Sequence, residues 1–133
     1  IQIQIYGNGK QIRDWLYVDD HVNALLMIAK NSQIGETYNV GGENEHSNIN
    51  VVKKICSLLE DIYPDKPKNI KFYDDLIFFV KDRPGHDKRY AIDSSKLKKD
   101  LNWEAKENFE SGLTKTIKWY IDNKDFLREF IKT

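Results

Sequence analysis

The chain has 133 residues, of which 40% are apolar and 32% charged, with three Trp, seven Tyr and six Phe; one domain of this size buries roughly two-thirds of the surface its unfolded form exposes, which excludes disorder over its body. Lys plus Arg (21) equal Asp plus Glu (21), which removes the broad positive field expected of a protein held by charge to nucleic acid or anionic lipid. The single cysteine, Cys56, excludes an internal disulfide, and with no long apolar run or cationic leader the reading is a cytoplasmic chain without a membrane span.

The first residues, IQIQIYG, open without Met inside an alternating run, which we read as the start of a piece within a longer polypeptide. Ile1, Ile3 and Ile5 predict a half-buried strand, and Gly7-Asn8-Gly9 forces a turn. The β-branched and aromatic run Ile12 to Val18 follows. Asp19-Asp20 then opens a helix whose apolar positions Val22, Leu25, Leu26, Ile28 and Ala29 repeat at helical spacing up to about Asn31. Glu36 to Val40 (ETYNV) predicts a strand stopped by Gly41-Gly42. Asn48 or Asn50 can cap an amphipathic helix carrying Val51, Val52, Ile55, Leu58, Leu59 and Ile62, which Pro64 ends. Tyr63 to Lys71 reads as a surface connection. Ile77 to Lys81 and Tyr90 to Ile92 are short strand candidates flanking a turn at Asp82 to Asp87. Asp93 or Ser94 caps a helix to about Leu101, and Glu107 to Asn123 is the last helix, with Phe109, Leu113, Ile117, Tyr120 and Ile121 on one face. Strands and helices alternate without the rhythm of a complete doubly wound sheet, so we expect a piece of an α/β fold: a lobe over 1–123 and a tail or extra helical turn over 124–133.

Asp82-Arg83-Pro84-Gly85-His86-Asp87 carries the most chemistry. Pro84 fixes its own φ and Gly85 can take the positive φ of a type II turn, which puts a guanidinium and an imidazole on one small loop, both able to donate to phosphate. The alternative is a solvated turn on which Asp82 and Asp87 neutralise Arg83, Lys88 and Arg89. Arg13, within the apolar run, is either salt-bridged to Asp14 or Asp19 or an arginine clamp on phosphate or carboxylate. Gly7-Asn8-Gly9 lacks the third glycine of a dinucleotide fingerprint, since Ile12 stands there. Tyr-x-x-x-Lys occurs at Tyr6/Lys10, across two glycines, and at Tyr120/Lys124, where packing on the helix explains Tyr120. His21, His46 and His86 lack metal-site spacing, and Lys96, Lys98 and Lys99 read as a solvated helix face; we expect no metal site and no nucleic-acid partner.

IYGNGKQIRDWLYVDDH, GETYNVGGENEHSN and DRPGHDKRYAID, in this order and followed by LNWEAKENFESGLTKTIKWY, look like the C-terminal half of the dTDP-glucose 4,6-dehydratases, members of the extended short-chain dehydrogenase/reductase group. The resemblance implies a nucleotide-sugar-binding lobe whose partner, an N-terminal Rossmann domain with the glycine fingerprint, NAD and the catalytic groups, lies outside this chain. It implies a complete enzyme that takes dTDP-glucose, oxidises C4 with NAD, eliminates water across C5 and C6 and reduces C6, and that dimerises chiefly through the other domain. Such enzymes serve deoxysugars such as rhamnose in surface polysaccharides. Carried over by resemblance, Gln4, Ile5 and Tyr6 line the nucleotide, Arg13 contacts the diphosphate, Asn48 lies at the nucleotide end, and Asp82, Arg83, Pro84, Gly85 and His86 close the site with Arg83 on phosphate; no catalytic residue falls here. Gln4 departs from the Pro of many relatives. The alternatives are a sibling nucleotide-sugar epimerase or decarboxylase and a non-catalytic nucleotide-sugar-binding module; the isolated piece is expected to be inactive.

Overall fold

The computed structural model describes residues 2–66 and 68–131, so Ile1 of the expected first strand lies outside the described residues. Strand β1 (Ile3–Tyr6) buries Ile5 and pairs in parallel with β4 (Ile77–Val80), Ile3 opposite Ile77 and Tyr6 opposite Val80. The glycine turn then reverses the chain. Gly7 and Gly9 sit at φ +59° and +69°, a region that only glycine enters freely, and Asn8 Oδ1 accepts from the Lys10 amide at 3.0 Å.

The run from Ile12 to Val18 is only briefly a strand. β2 (Ile12–Asp14) pairs antiparallel with β3 (Glu45–Ser47), Arg13 opposite His46. Along its other edge the Ile12 amide donates to Lys88 O (2.8 Å) and Ile12 O accepts from the Tyr90 amide (3.0 Å). The strand expected at Tyr90 to Ile92 is therefore reduced to one parallel bridge, Ile12 with Arg89. Extended Tyr17 precedes helix α1 (Val18–Asn31). In α1 the fully buried position is Ala24, while Val22, Leu25 and Leu26 stay about half exposed.

Ser47, at the end of β3, caps helix α2 (Asn48–Ile62) by accepting from the Asn50 amide; Asn48 and Asn50, the expected caps, lie inside the first turn. The helix stops two residues before Pro64, whose ring disfavours helical geometry in the residue before it. A short 3-10 turn, Tyr73–Leu76, docks on α2 through Tyr73, whose amide donates to Glu60 Oε1 and whose hydroxyl donates to Tyr63 O, both at 2.7 Å. Helix α3 (Ser95–Leu101) receives its cap from Asp93, which accepts from the Ser95 amide at 2.9 Å. Helix α4 (Phe109–Asp122) begins two residues later than expected, at an Asn108 cap. The expected tail continues as helix α5 (Lys124–Ile131). No described helix is long and apolar enough to cross a membrane.

The core is centred on Ala24 of α1, Leu97 of α3 and Trp103, with Leu16, Met27, Tyr38 and Val40 against it. Glu36 to Val40 is not a strand. Its alternation is real, since Tyr38 and Val40 turn inward while Thr37 and Asn39 face out, but no described strand lies beside it to form a ladder. Asp20 is 3% exposed and holds the chain entering α4, accepting from the amides of Lys106 (3.1 Å) and Glu107 (2.9 Å). Removing a buried acceptor strands both donors. Asp20→Ala is expected to lower unfolding stability by about 1.5–3 kcal/mol, whereas exposed Asp19→Ala stays within about 0.5 kcal/mol. Urea denaturation of both variants checks the contrast; equal losses would refute it.

Candidate functional site

β2 is flanked on both edges, by β3 and by residues 88–90, and this fixes Arg13 at the centre of a small platform. Its guanidinium donates to Ile12 O (2.6 Å) and Asp87 O (3.1 Å) and lies over the Tyr90 ring, 4.4 Å from the centroid. No described carboxylate pairs with it. Asp14, one of the expected partners, instead accepts from the amides of Gly42 (2.9 Å) and Asn44 (2.8 Å), shaping the loop before β3. The salt-bridge reading of Arg13 is thus replaced by two carbonyl contacts and a cation–π contact, which leave its charge uncompensated.

The Arg83 to His86 turn forms as its Pro-Gly pair predicts, with Gly85 at φ +70°. Asp82 organises it. Oδ1 accepts from the Arg83 amide (2.9 Å) and from His86 Nδ1 (2.7 Å), and Oδ2 accepts from Gln11 Nε2 (2.9 Å). The carboxylate acceptor fixes the proton on His86 Nδ1. The neutralised-turn reading fails in its particulars: Asp82 goes to His86, Asp87 accepts from the Tyr90 hydroxyl, and Arg89 makes a two-pronged pair with Glu45 of β3 at 2.7 and 2.8 Å. Arg83 is exposed and has no carboxylate partner among the described residues. The charges of Arg13 and Arg83 both act on the Tyr90 phenol, although the Asp87 hydrogen bond outweighs them and raises its pKa. Arg13 thus lies against Tyr90, and the Arg83 turn, 70 positions away in sequence, is tied to the same stretch of chain by the Asp82–Gln11 bond.

The remaining candidates fall elsewhere. Gln4, Ile5, Tyr6 and Asn48 line a predominantly apolar open hollow of about 1070 Å³ between β1, α2 and α4, walled also by Trp15 and Tyr120. Arg13 and residues 82–86 do not line it. Tyr120, expected to be packed, is half exposed on that wall, and Lys124 lies over the Tyr63 ring instead of beside Tyr120. Between the two groups stands Gln11, which sequence reasoning missed. Its side chain holds Asp82 while its carbonyl accepts from the Asn48 amide at 3.0 Å. The available signal was strand periodicity: Gln11 lies two positions from Arg13 and so shares its side of the backbone. Tyr90 was read only as part of a strand.

For a dinucleotide cofactor the fit is poor. Gly7-Asn8-Gly9 leads into β2, whereas a dinucleotide pyrophosphate needs a glycine turn between a strand and a helix N-terminus. No described segment provides one.

This arrangement of short strand pairs and helices is an α/β lobe of the extended short-chain dehydrogenase/reductase type, corresponding to the C-terminal portion of those enzymes. The GDP-mannose 4,6 dehydratase family model matches residues 2–116, and the chain belongs to that family. It is 57% identical over 122 residues to a dTDP-glucose 4,6-dehydratase of Neisseria meningitidis serogroup B, a match covering 92% of this chain and 34% of that protein. A Bacillus anthracis dTDP-glucose 4,6-dehydratase in complex with NAD superposes with a TM-score of 0.78 at 40% identity, over 94% of this chain and 36% of the other. The corresponding enzyme of Streptomyces venezuelae, also with NAD bound, gives 0.79 at 27% identity, over 94% and 35%. The chain thus spans about a third of the length of the relatives it matches, not the expected half.

The Asp82 carboxyl is held below its ordinary 3.8 by the His86 hydrogen bond first, with the Arg83 and Gln11 amides adding to it and partial desolvation opposing. A lowered folded-state pKa means that these bonds stabilise the turn fully above the ordinary value and are lost as pH falls through the lowered one. Carbon-detected NMR should place the Asp82 midpoint below 3.8, with protection of the Arg83 amide lost over the same window. His86→Ala should move the midpoint back up. A midpoint at or above the ordinary value would refute the arrangement.

Proposed function

We propose that this chain is the nucleotide-sugar-binding lobe of a dTDP-glucose 4,6-dehydratase, the complete enzyme converting dTDP-glucose to dTDP-4-keto-6-deoxyglucose and water. The observation that carries the reading is the guanidinium of Arg13 on its platform over Tyr90, with the Arg83 turn tied to the residue two positions before Arg13 by the Asp82–Gln11 bond and neither arginine matched by a described carboxylate. Two planar forks suit the two phosphoryl groups of a nucleoside diphosphate, each able to donate two parallel hydrogen bonds. The identity shared with the Neisseria dTDP-glucose 4,6-dehydratase supports dTDP-glucose as the nucleotide sugar.

On this reading Arg13 holds one phosphoryl group from a fixed platform and Arg83 the other from the turn. Asp82, Pro84, Gly85 and His86 set that turn, and Gln4, Ile5, Tyr6 and Asn48 form the nucleotide end along the hollow. The hydride chemistry and NAD fall to the remainder of the enzyme, because the glycine turn here is unsuited to a dinucleotide. On the same reading the complete enzyme works in the cytoplasm as a homodimer, its contacts made chiefly outside this lobe. Its product, a keto-deoxysugar nucleotide, suits deoxysugar supply, such as rhamnose, for surface polysaccharides.

Arg13→Ala and Arg83→Ala in the complete enzyme are each expected to weaken dTDP-glucose binding by about 1.5–3 kcal/mol, the range for hydrogen bonds to charged groups. Isothermal calorimetry checks this, and unchanged affinity in both variants removes the reading. The 133-residue chain alone, incubated with dTDP-glucose and NAD, should give no 4-keto product while the complete enzyme does.

A further inference from the structure

We propose that Gln11 is a positioning residue that couples the two parts of the substrate site, holding the Arg83 turn through Asp82 with its side chain and the Asn48 end through its carbonyl. The inference rests on the diphosphate reading of Arg83. Gln11 stands one residue beyond the glycine turn, after Lys10, and directly precedes β2, and its carbonyl is held by the Asn48 amide. The residue is 7% exposed. Burying a primary amide is costly unless its groups are hydrogen-bonded, yet only one half of this amide is used: Nε2 donates to Asp82 Oδ2 at 2.9 Å, and Oε1 accepts from nothing among the described residues. A residue kept only for packing would fill the same space better as an apolar side chain, because an unsatisfied buried acceptor destabilises the fold. The retained amide therefore serves its one bond. That bond ends on the carboxylate whose other oxygen fixes both the Arg83 amide and His86.

Positioning and folding can be separated because they respond to substitution in opposite directions. Gln11→Met keeps the volume, removes the orphaned acceptor and cuts the link to Asp82. In the complete enzyme it should leave the melting temperature equal or higher. Binding of dTDP, measured by calorimetry, and KM for dTDP-glucose should worsen by about 5- to 30-fold with kcat little changed. Adding Gln11→Met to Arg83→Ala should cost almost nothing further, since the residue acts through that turn. Gln11→Glu, which sets two carboxylates face to face, should weaken binding more, and combining it with Asp82→Asn should restore much of the loss. In that pair Asn Oδ1 still accepts from Arg83 and His86 while Nδ2 donates to Glu. The swap keeps the proposal testable if Gln11→Met does not fold.

Normal dTDP binding by Gln11→Met or Gln11→Glu beside a weakened Arg83→Ala overturns this inference alone. So does a loss that adds fully to that of Arg83→Ala, or a Glu variant that Asp82→Asn does not rescue. Normal binding by Arg83→Ala overturns the diphosphate reading and this inference with it.

Discussion

A carboxylate offers about four lone-pair sites, and Asp82 commits three of them to donors from two distant parts of the chain: the Gln11 amide just before β2, and the Arg83 amide and His86 ring on its own turn. The His86 side chain, 6% exposed, anchors one end of that turn by packing, while the tip depends on these bonds. Space around Gly85 is open, so no packing neighbour presses on it. Loops of this kind keep a single conformation only when hydrogen bonds replace the missing ladder or core. Gly7 is part of the same constraint, because a Cβ there would lie 2.6 Å from Asp82 Oδ2. Its positive φ and its lack of a side chain both serve the approach of this carboxylate.

The platform on which the turn stands is equally economical. β2 has three residues, but it is bonded on both edges, and the ion pair of Arg89 with Glu45 of β3 fastens the returning chain across it. Exposed ion pairs of this type contribute little to folding, typically about 0–1 kcal/mol. They set direction more than stability. The core of Ala24, Leu97 and Trp103 lies among the helices and shares no residue with the Arg13 and Arg83 groups. Substitutions at the rim can therefore alter ligand contacts while the fold persists, whereas Asp20, which ties α1 to the start of α4, belongs to the folding side of the molecule.

The features legible in the sequence were those that a local pattern determines. Alternating isoleucines marked β1, apolar spacing marked α1, α2 and α4, and Pro84-Gly85 marked the turn. Pairing is not local, and there the reading diverged. ETYNV has the alternation of a strand and buries alternate side chains, but strand status needs a neighbour. Glu45–Ser47 has no β-branched residue and still forms a strand, because β2 offers it a ladder. Ser47 displaced Asn48 and Asn50 as the α2 cap for the same reason, since the end of β3 fixes where the helix begins. In the site, Arg13 and Arg83 were identifiable as charges in unusual settings. Gln11 was not, because its significance lies in a contact 71 residues away.

The division between an apolar hollow and a charged rim also bears on what kind of ligand the lobe suits. The chain carries no net charge, so attraction for an anion over distances beyond the Debye length, about 8–10 Å at physiological salt, is weak. Recognition then depends on short-range geometry, and two guanidiniums whose positions are set by separate segments are useful only if their separation is fixed. Arg13 is fixed by strand pairing and the backbone of Arg83 by Asp82, and the bond from Gln11 refers the second to the same stretch of backbone as the first. On the proposed reading, a diphosphate meets a rim whose backbone is already ordered in the folded lobe, and that part of the ordering cost does not fall on binding.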